Sequence, residues 1–257
     1  MNDWASQAGH YYSREGEPRY EITGANGKIR PTTLRDAKKH GYLPSVTTIC
    51  KVVAAAPGLE SWKIDQAVMA ALTGTRRDGE SDSDFIARIK REAKEQAFKA
   101  AEFGTTVHGQ IERHYRGEPV DPAYRLFVDG VVAEVDRYFP GFTWEAERSF
   151  AHNGYGGKVD LHGSHAGAYV VIDFKGKDGD LEEVETYPEH WMQLAAYGAG
   201  LFPHAPWDKI VTANCFFSRT HPGNAMMVVH PHETFQKGMD MFKAAKSLWC
   251  AMKGYET

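Results

Sequence analysis

The feature that most narrows what this chain can fold into is a change of hydrophobic period at Pro140. Beyond it, "TWEAERSFAH", "GKVDLHG" and "AYVVIDFK" alternate with period two and are separated by glycine-containing turns. A helical pattern follows, "EHWMQLAAYGAGLF", then strands "KIVTANCFFS" and "AMMVVHP", then a terminal helix, "HETFQKGMDMFKAAKSLWCAM". With a helix ahead of the first strand, the order is helix, three strands, helix, two strands, helix. That order predicts an α/β core, a central mixed β-sheet flanked by helices.

The first hundred residues read differently. "YYSREGEPRYEI" and "TGANGKIRP" predict an N-terminal hairpin, with Gly24, Asn26 and Gly27 supplying turn chemistry. "GANGK" is not a phosphate-binding P-loop, because it lacks the four-residue gap and the Ser or Thr after Lys. "PSVTTICKVVAAAPGLESWKIDQAVMAAL" predicts two short helices broken at Pro57-Gly58, and 73–83 a polar loop. Helical spacing resumes over 84–100, and a second helix is expected from about Phe103 to Tyr115. The expected division is therefore an N-terminal hairpin and helical extension over 1–100 and a core over 101–257.

Composition excludes several classes. Hydrophobic residues make up 42% and aromatic residues 12%, enough for a sizeable core. No run approaches the ~18 apolar residues of a membrane span, so no membrane association is expected. "MNDWASQAGH" has neither a basic nor an apolar leader region, and Cys50, Cys215 and Cys250 form no C-x-x-C pair. A cytoplasmic protein with reduced thiols is expected, rather than a zinc ribbon or cysteine-held cluster. The net charge of −4 disfavours broad electrostatic binding of nucleic acid. Residues 76–99 mix seven basic with six acidic side chains, a solvated face rather than a basic stripe. Any contact with DNA must then be local, in a groove where bound cations offset the acids.

"AYVVIDFK" carries an apolar strand straight into an acid and a lysine. Alternation places Asp173 and Lys175 on one face and Phe174 on the other. D-x-K alone is common, and Asp36 and Lys38 form a second copy. In "GKVDLHG", Lys158, Asp160 and His162 share one face, with Val159 and Leu161 on the other. If the two strands pair as a hairpin through "SHAG", Asp160 lies near Asp173. Two carboxylates about 4 Å apart repel by about 4 kcal/mol at an effective dielectric of 20. Such a pair calls for a proton or a cation, and Mg²⁺ is satisfied by one or two carboxylates, waters and substrate phosphate. In the helix "FGTTVHGQIERHY", Phe103, Val107, Ile111 and Tyr115 make a buried stripe, with His108 and Glu112 one turn apart beside it. In the later helix, Trp191, Leu194, Ala195, Gly198 and Phe202 form the core stripe, and Gln193 and Tyr197 share another face.

"FGTTVHGQIE", "GYGGKVDLHG", "VVIDFKGK" and "QLAAY", in this order, resemble the motifs of the RecB-type branch of the PD-(D/E)XK nucleases. "LPSVTTICKV" and "GLESW" resemble a segment of phage-type exonucleases related to the mitochondrial genome maintenance exonuclease. The resemblance implies a restriction-endonuclease-like core and Mg²⁺ as cofactor, with Mn²⁺ able to substitute. It implies metal ligands at His108, Asp160, Asp173 and the Phe174 carbonyl. Lys175 would position the attacking water, and Gln193 and Tyr197 would support the site and orient substrate. Val159 stands where many members have Pro. Cysteines for an iron–sulfur cluster and helicase motifs are absent, as in a stand-alone nuclease.

The expected activity is metal-dependent hydrolysis of linear DNA, probed from a free end, in recombination, repair or processing. A recombination or single-strand-binding protein is the partner such an enzyme would have, in a phage-infected host cytoplasm if phage-encoded. Lys158, Arg113 and Arg116 are the cations expected to contact DNA. Residues 41–100 could cover the DNA path, and Trp62 and Phe85 could stack on bases, although a core position suits both better. The alternatives are a nuclease-fold module that binds without cutting, a structure-specific endonuclease, and a zinc protein built on His162 and His165.

Overall fold

The structure is a computed structural model that describes residues 9–24, 26–53 and 57–257, without the side chains of 57–63. Residues 1–8, the Ala25 position of the hairpin turn and the Trp62 side chain lie outside the described residues. The chain divides into two compact units, Met1–Ala54 with Gln110–Thr257, and Ala55–Gly109.

In the first unit, β1 (Tyr11–Tyr12) precedes β2 (Glu21–Thr23) and β3 (Ile29–Pro31), which pair antiparallel as the expected hairpin. Next come α1 (Leu34–His40), β4 (Leu43–Pro44), which pairs with β1, and α2 (Val46–Cys50). Helix α1, which the sequence pattern did not anticipate, shows what the second D-x-K does. Asp36 closes a capping box with Thr33 and accepts both terminal nitrogens of Arg30 at 2.6 and 2.9 Å. The Arg30 guanidinium holds the Asp36 carboxyl well below the usual carboxylate range. This D-x-K is a helix cap.

The second unit contains α3 (Pro57–Thr73) and most of α4 (Asp82–Tyr115). The two helices expected over 84–100 and 103–115 are one helix of 34 residues. Gly104 costs a helix interior about 1 kcal/mol, too little to break it when the long flanking segments both favour the helical form. Within this unit Ala70, Ile89 and Ala93 form a small core, with Phe85 packed against it and the guanidinium groups of Arg76 and Arg88 each over its ring.

The remaining elements complete the first unit: α5 (Arg125–Tyr138), β5 (Thr143–His152), β6 (Tyr155–His165), β7 (Ala168–Lys177), α6 (Pro188–Leu201), β8 (Ile210–Ser218), β9 (Ala225–Val229) and α7 (His232–Lys253). Helix α5 is missing from the expected order, although its buried Phe127, Val128, Val131 and Val135 follow helical spacing. The five strands form one sheet in the order β5-β6-β7-β8-β9. β7 and β8 are parallel and joined through α6; the other neighbours are antiparallel. The mixed sheet flanked by helices is as expected.

Side chains from α2, α6 and α7 meet Val159, Val171 and Phe150 of the sheet in the main core, which contains Trp249, Phe242 and Phe235. Helices α6 and α7 approach closely enough that a Cβ on Gly238 would overlap the Trp191 carbonyl. Helix α6 also shares the core with the sheet through Leu194 and Ala195, and it carries Gln193 and Tyr197.

Candidate active site

The β6–β7 turn at Ala166 and Gly167, both with positive φ, aligns Leu161 with Ile172 as the last paired residues before the strands part. Just beyond that pair, the Phe174 N–H donates to Asp160 Oδ2 at 2.9 Å. A side chain thus takes over where the backbone ladder stops, and it brings Asp160 beside Asp173, as the hairpin register predicts.

Asp173 is 3% exposed, so its carboxylate needs internal partners. Oδ1 accepts from Gln193 Nε2 at 2.9 Å. Oδ2 accepts from Asn214 Nδ2 at 3.0 Å and from the Lys175 ammonium at 2.6 Å. Gln193 spends its second N–H on the Tyr197 hydroxyl at 3.1 Å, and its carbonyl oxygen accepts from Lys175 at 3.4 Å. Because a carboxylate only accepts, Asp173 fixes both amide orientations. Asn214, fully buried, therefore turns its oxygen to His230, whose Nε2–H donates at 2.9 Å. Asp160, Asp173, Lys175, Gln193 and Tyr197 are thereby gathered in one cluster.

Burial works against the charge on Lys175, yet the Asp173 and Asp160 carboxylates outweigh it and raise the ammonium's pKa. Burial also raises the Tyr197 hydroxyl far above its ordinary value, and both acids add to this, so it remains protonated. Burial lowers His190 to about 3, with help from Lys175, His230 and Lys177, and lowers His230 to about 4. Both imidazoles are neutral at physiological pH.

His108 is on α4 within the helical unit. Each cation expected to touch DNA has an acidic partner: Arg116 bonds Glu112 at 2.5 Å, Arg113 lies 3.9 Å from Glu118 and donates to the Pro119 carbonyl at 2.7 Å, and Lys158 pairs with Glu147. Glu147 has a positive φ of 58°, uncommon for a residue with a side chain. His162 is buried against Phe202, where burial lowers its pKa, while His165 is exposed beside Phe142. Sequence reasoning missed Asn214, His190 and His230; single polar residues in apolar strands or at helix starts have no spacing that marks them.

Among the described residues, no three His, Cys, Asp or Glu side chains form a group able to hold a metal ion. The oxygens implied as ligands by the resemblance, from Asp160, Asp173 and the Phe174 carbonyl, are of the hard type that Mg²⁺ prefers. Lys175 now balances the charge of Asp173. No helix among the described residues is long and apolar enough to cross a membrane.

Neither a family model nor a curated protein matches this chain. Among solved structures, one described as "Crystal structure of SSO0001" is 13% identical over 72% of this chain and 85% of that chain, with a TM-score of 0.29, too low to carry an argument.

Proposed function

We propose that this chain is a metal-dependent nuclease with a restriction-endonuclease-like core, hydrolysing phosphodiester bonds of linear DNA as an exonuclease. The observation that carries the reading is the cluster in which Asp160 and Asp173 converge, with Lys175 bonded to Asp173 and Gln193 bridging Asp173, Lys175 and Tyr197. Three of the four sequence motifs supply these residues in order, and a five-stranded mixed sheet flanked by helices is compatible with the core they imply.

Asp160, Asp173 and the Phe174 carbonyl would hold Mg²⁺, with Mn²⁺ as substitute and His108 as the further ligand implied by the motifs. The bound ion would supply positive charge against the scissile phosphate and acidify a water. Lys175 presents an ammonium that is charged at neutral pH, suited to orient a nucleophilic water and to offset charge on the pentavalent phosphorus. Gln193 keeps Lys175 and Asp173 in register, and the protonated Tyr197 adds a hydroxyl donor beside them. The net charge of −4 then poses no obstacle, because the local positive potential comes from the ion and Lys175.

The test is loss of end-labelled linear DNA in Mg²⁺, blocked by EDTA and by Asp173→Asn or Lys175→Met. Undiminished cleavage by either variant would falsify the assignment. Resistance of closed circles separates exonuclease from endonuclease action. The Lys175–Asp173 ion pair also suits a second reading, a module of this fold that binds DNA without cutting. That reading requires metal-independent binding and no cleavage by the wild type.

A further inference from the structure

Strand β7 continues past Lys175 to Gly176 and Lys177. Side chains two residues apart on a strand share a face, with a spacing of roughly 6.7 Å. Lys177 therefore stands one pleat beyond the cluster, on the side of Lys175. Its backbone is fixed: it aligns with Ser218 of β8, and its carbonyl accepts from the Arg219 N–H at 2.7 Å. Its ammonium lies 5.5 Å from the centre of the Phe216 ring and 5.9 Å from that of Tyr187.

The charges around it distinguish it from the other cations. Arg113, Arg116 and Lys158 are tied to carboxylates. Arg219, next to Lys177, is committed to Asp178 at 2.8 Å and to the Gly176 carbonyl at 2.9 Å. Lys177 forms no ion pair with an acid among the described residues; its neighbours are the two rings and the neutral His190. Glu185, the acid beside Tyr187, accepts from the Tyr187 hydroxyl at 3.3 Å. An ammonium held between aromatic faces, half-buried and without a counter-ion, is ready to accept an anion with little ordering cost.

We propose that Lys177 binds a phosphodiester of the nucleic-acid backbone next to the one at the Asp160–Asp173–Lys175 cluster. The proposal rests on the nuclease reading, and the ligand chemistry is a phosphate monoanion in a nucleic-acid strand. A lysine serves here as a point charge, so it sets affinity and register without reading sequence.

The experiment measures binding of a fluorescent single-stranded oligonucleotide and a duplex with Ca²⁺ in place of Mg²⁺, across a KCl series. Lys177→Met keeps the aliphatic stem against the rings and removes the charge. The log–log salt slope is expected to shrink by about 0.7 on the single strand or 0.9 on the duplex, the signature of one lost phosphate contact. Lys177→Arg should restore the slope. Lys243→Met is the control, since Lys243 also lies over a ring, 5.4 Å from the centre of Trp207, but on α7; it should leave the slope unchanged. A Lys177→Met slope equal to the wild-type slope overturns the Lys177 assignment alone. Wild-type protein that neither binds nor cuts DNA overturns the nuclease reading itself.

Discussion

His230 makes stability depend on pH in a calculable way. It is 8% exposed, and burial lowers its pKa from 6.5 to about 4. Above pH 6.5 the imidazole is neutral in both folded and unfolded chains, so it adds no pH dependence there. Between pH 6.5 and about 4 the unfolded chain takes up a proton that the folded chain refuses, and stability falls as pH falls. Each pH unit in that window costs about 1.4 kcal/mol, so lowering the pH to 5 should remove about 2 kcal/mol through this group alone. For a chain of this length, that is a fall of roughly 4–8 °C in melting temperature. His190, lowered to about 3 chiefly by burial and to a smaller extent by His230, acts in the same direction in both proteins, so most of its contribution cancels in the comparison. Asp36, whose carboxyl Arg30 holds below the usual range, stabilises the fold throughout this window and loses that contribution only at lower pH. The assay is urea denaturation at pH 7 and pH 5 for wild type and His230→Gln, whose amide can still donate to Asn214. The variant should lose about 2 kcal/mol less than the wild type on acidification. Equal losses, within about 0.5 kcal/mol, would refute burial of a neutral imidazole at this position.

Other outcomes follow from single contacts. Asn214→Leu deprives Asp173 and His230 of their shared partner and should destabilise by about 1–3 kcal/mol; a change under about 0.5 kcal/mol in urea denaturation would contradict the buried relay. Gly238→Ala should destabilise by about 1–3 kcal/mol, because the clash with the Trp191 carbonyl outweighs the gain of about 1 kcal/mol in helix propensity; a higher melting temperature would show that α6 and α7 can separate. Lys175→Met should lower cleavage by about 10²- to 10³-fold, measured as single-turnover rate in Mg²⁺. Lys175 also has a raised pKa, so its pairing stabilises the fold below pH 10.5 and is lost as pH rises through the higher folded value. Alkaline titration should therefore destabilise the wild type more than Lys175→Met.

The sequence alone determined which segments could be strands and where the reactive residues lie along them. Period two from Thr143 to Lys177 leaves little choice of strand register, since a slip by one residue would exchange Val171 and Asp173 with Val170 and Ile172 between the two faces of the sheet. The hairpin that brings Asp160 to Asp173 follows from that register and a short turn, both local properties. Local patterns were less informative where two outcomes differ by about 1 kcal/mol, as at Gly104, where one helix replaced two. Only the tertiary structure decided what each polar side chain would bond. Asp36 and Asp173 occur in the same D-x-K pattern, yet one caps a helix through Thr33 while pairing with Arg30 and the other lies buried among Gln193, Asn214 and Lys175. Gln193 and Asn214 come from α6 and β8, up to 41 residues away in sequence, and no short-range pattern encodes them. A buried carboxylate must find donors wherever the fold supplies them, and that supply is settled only when α6 and β8 close on β7.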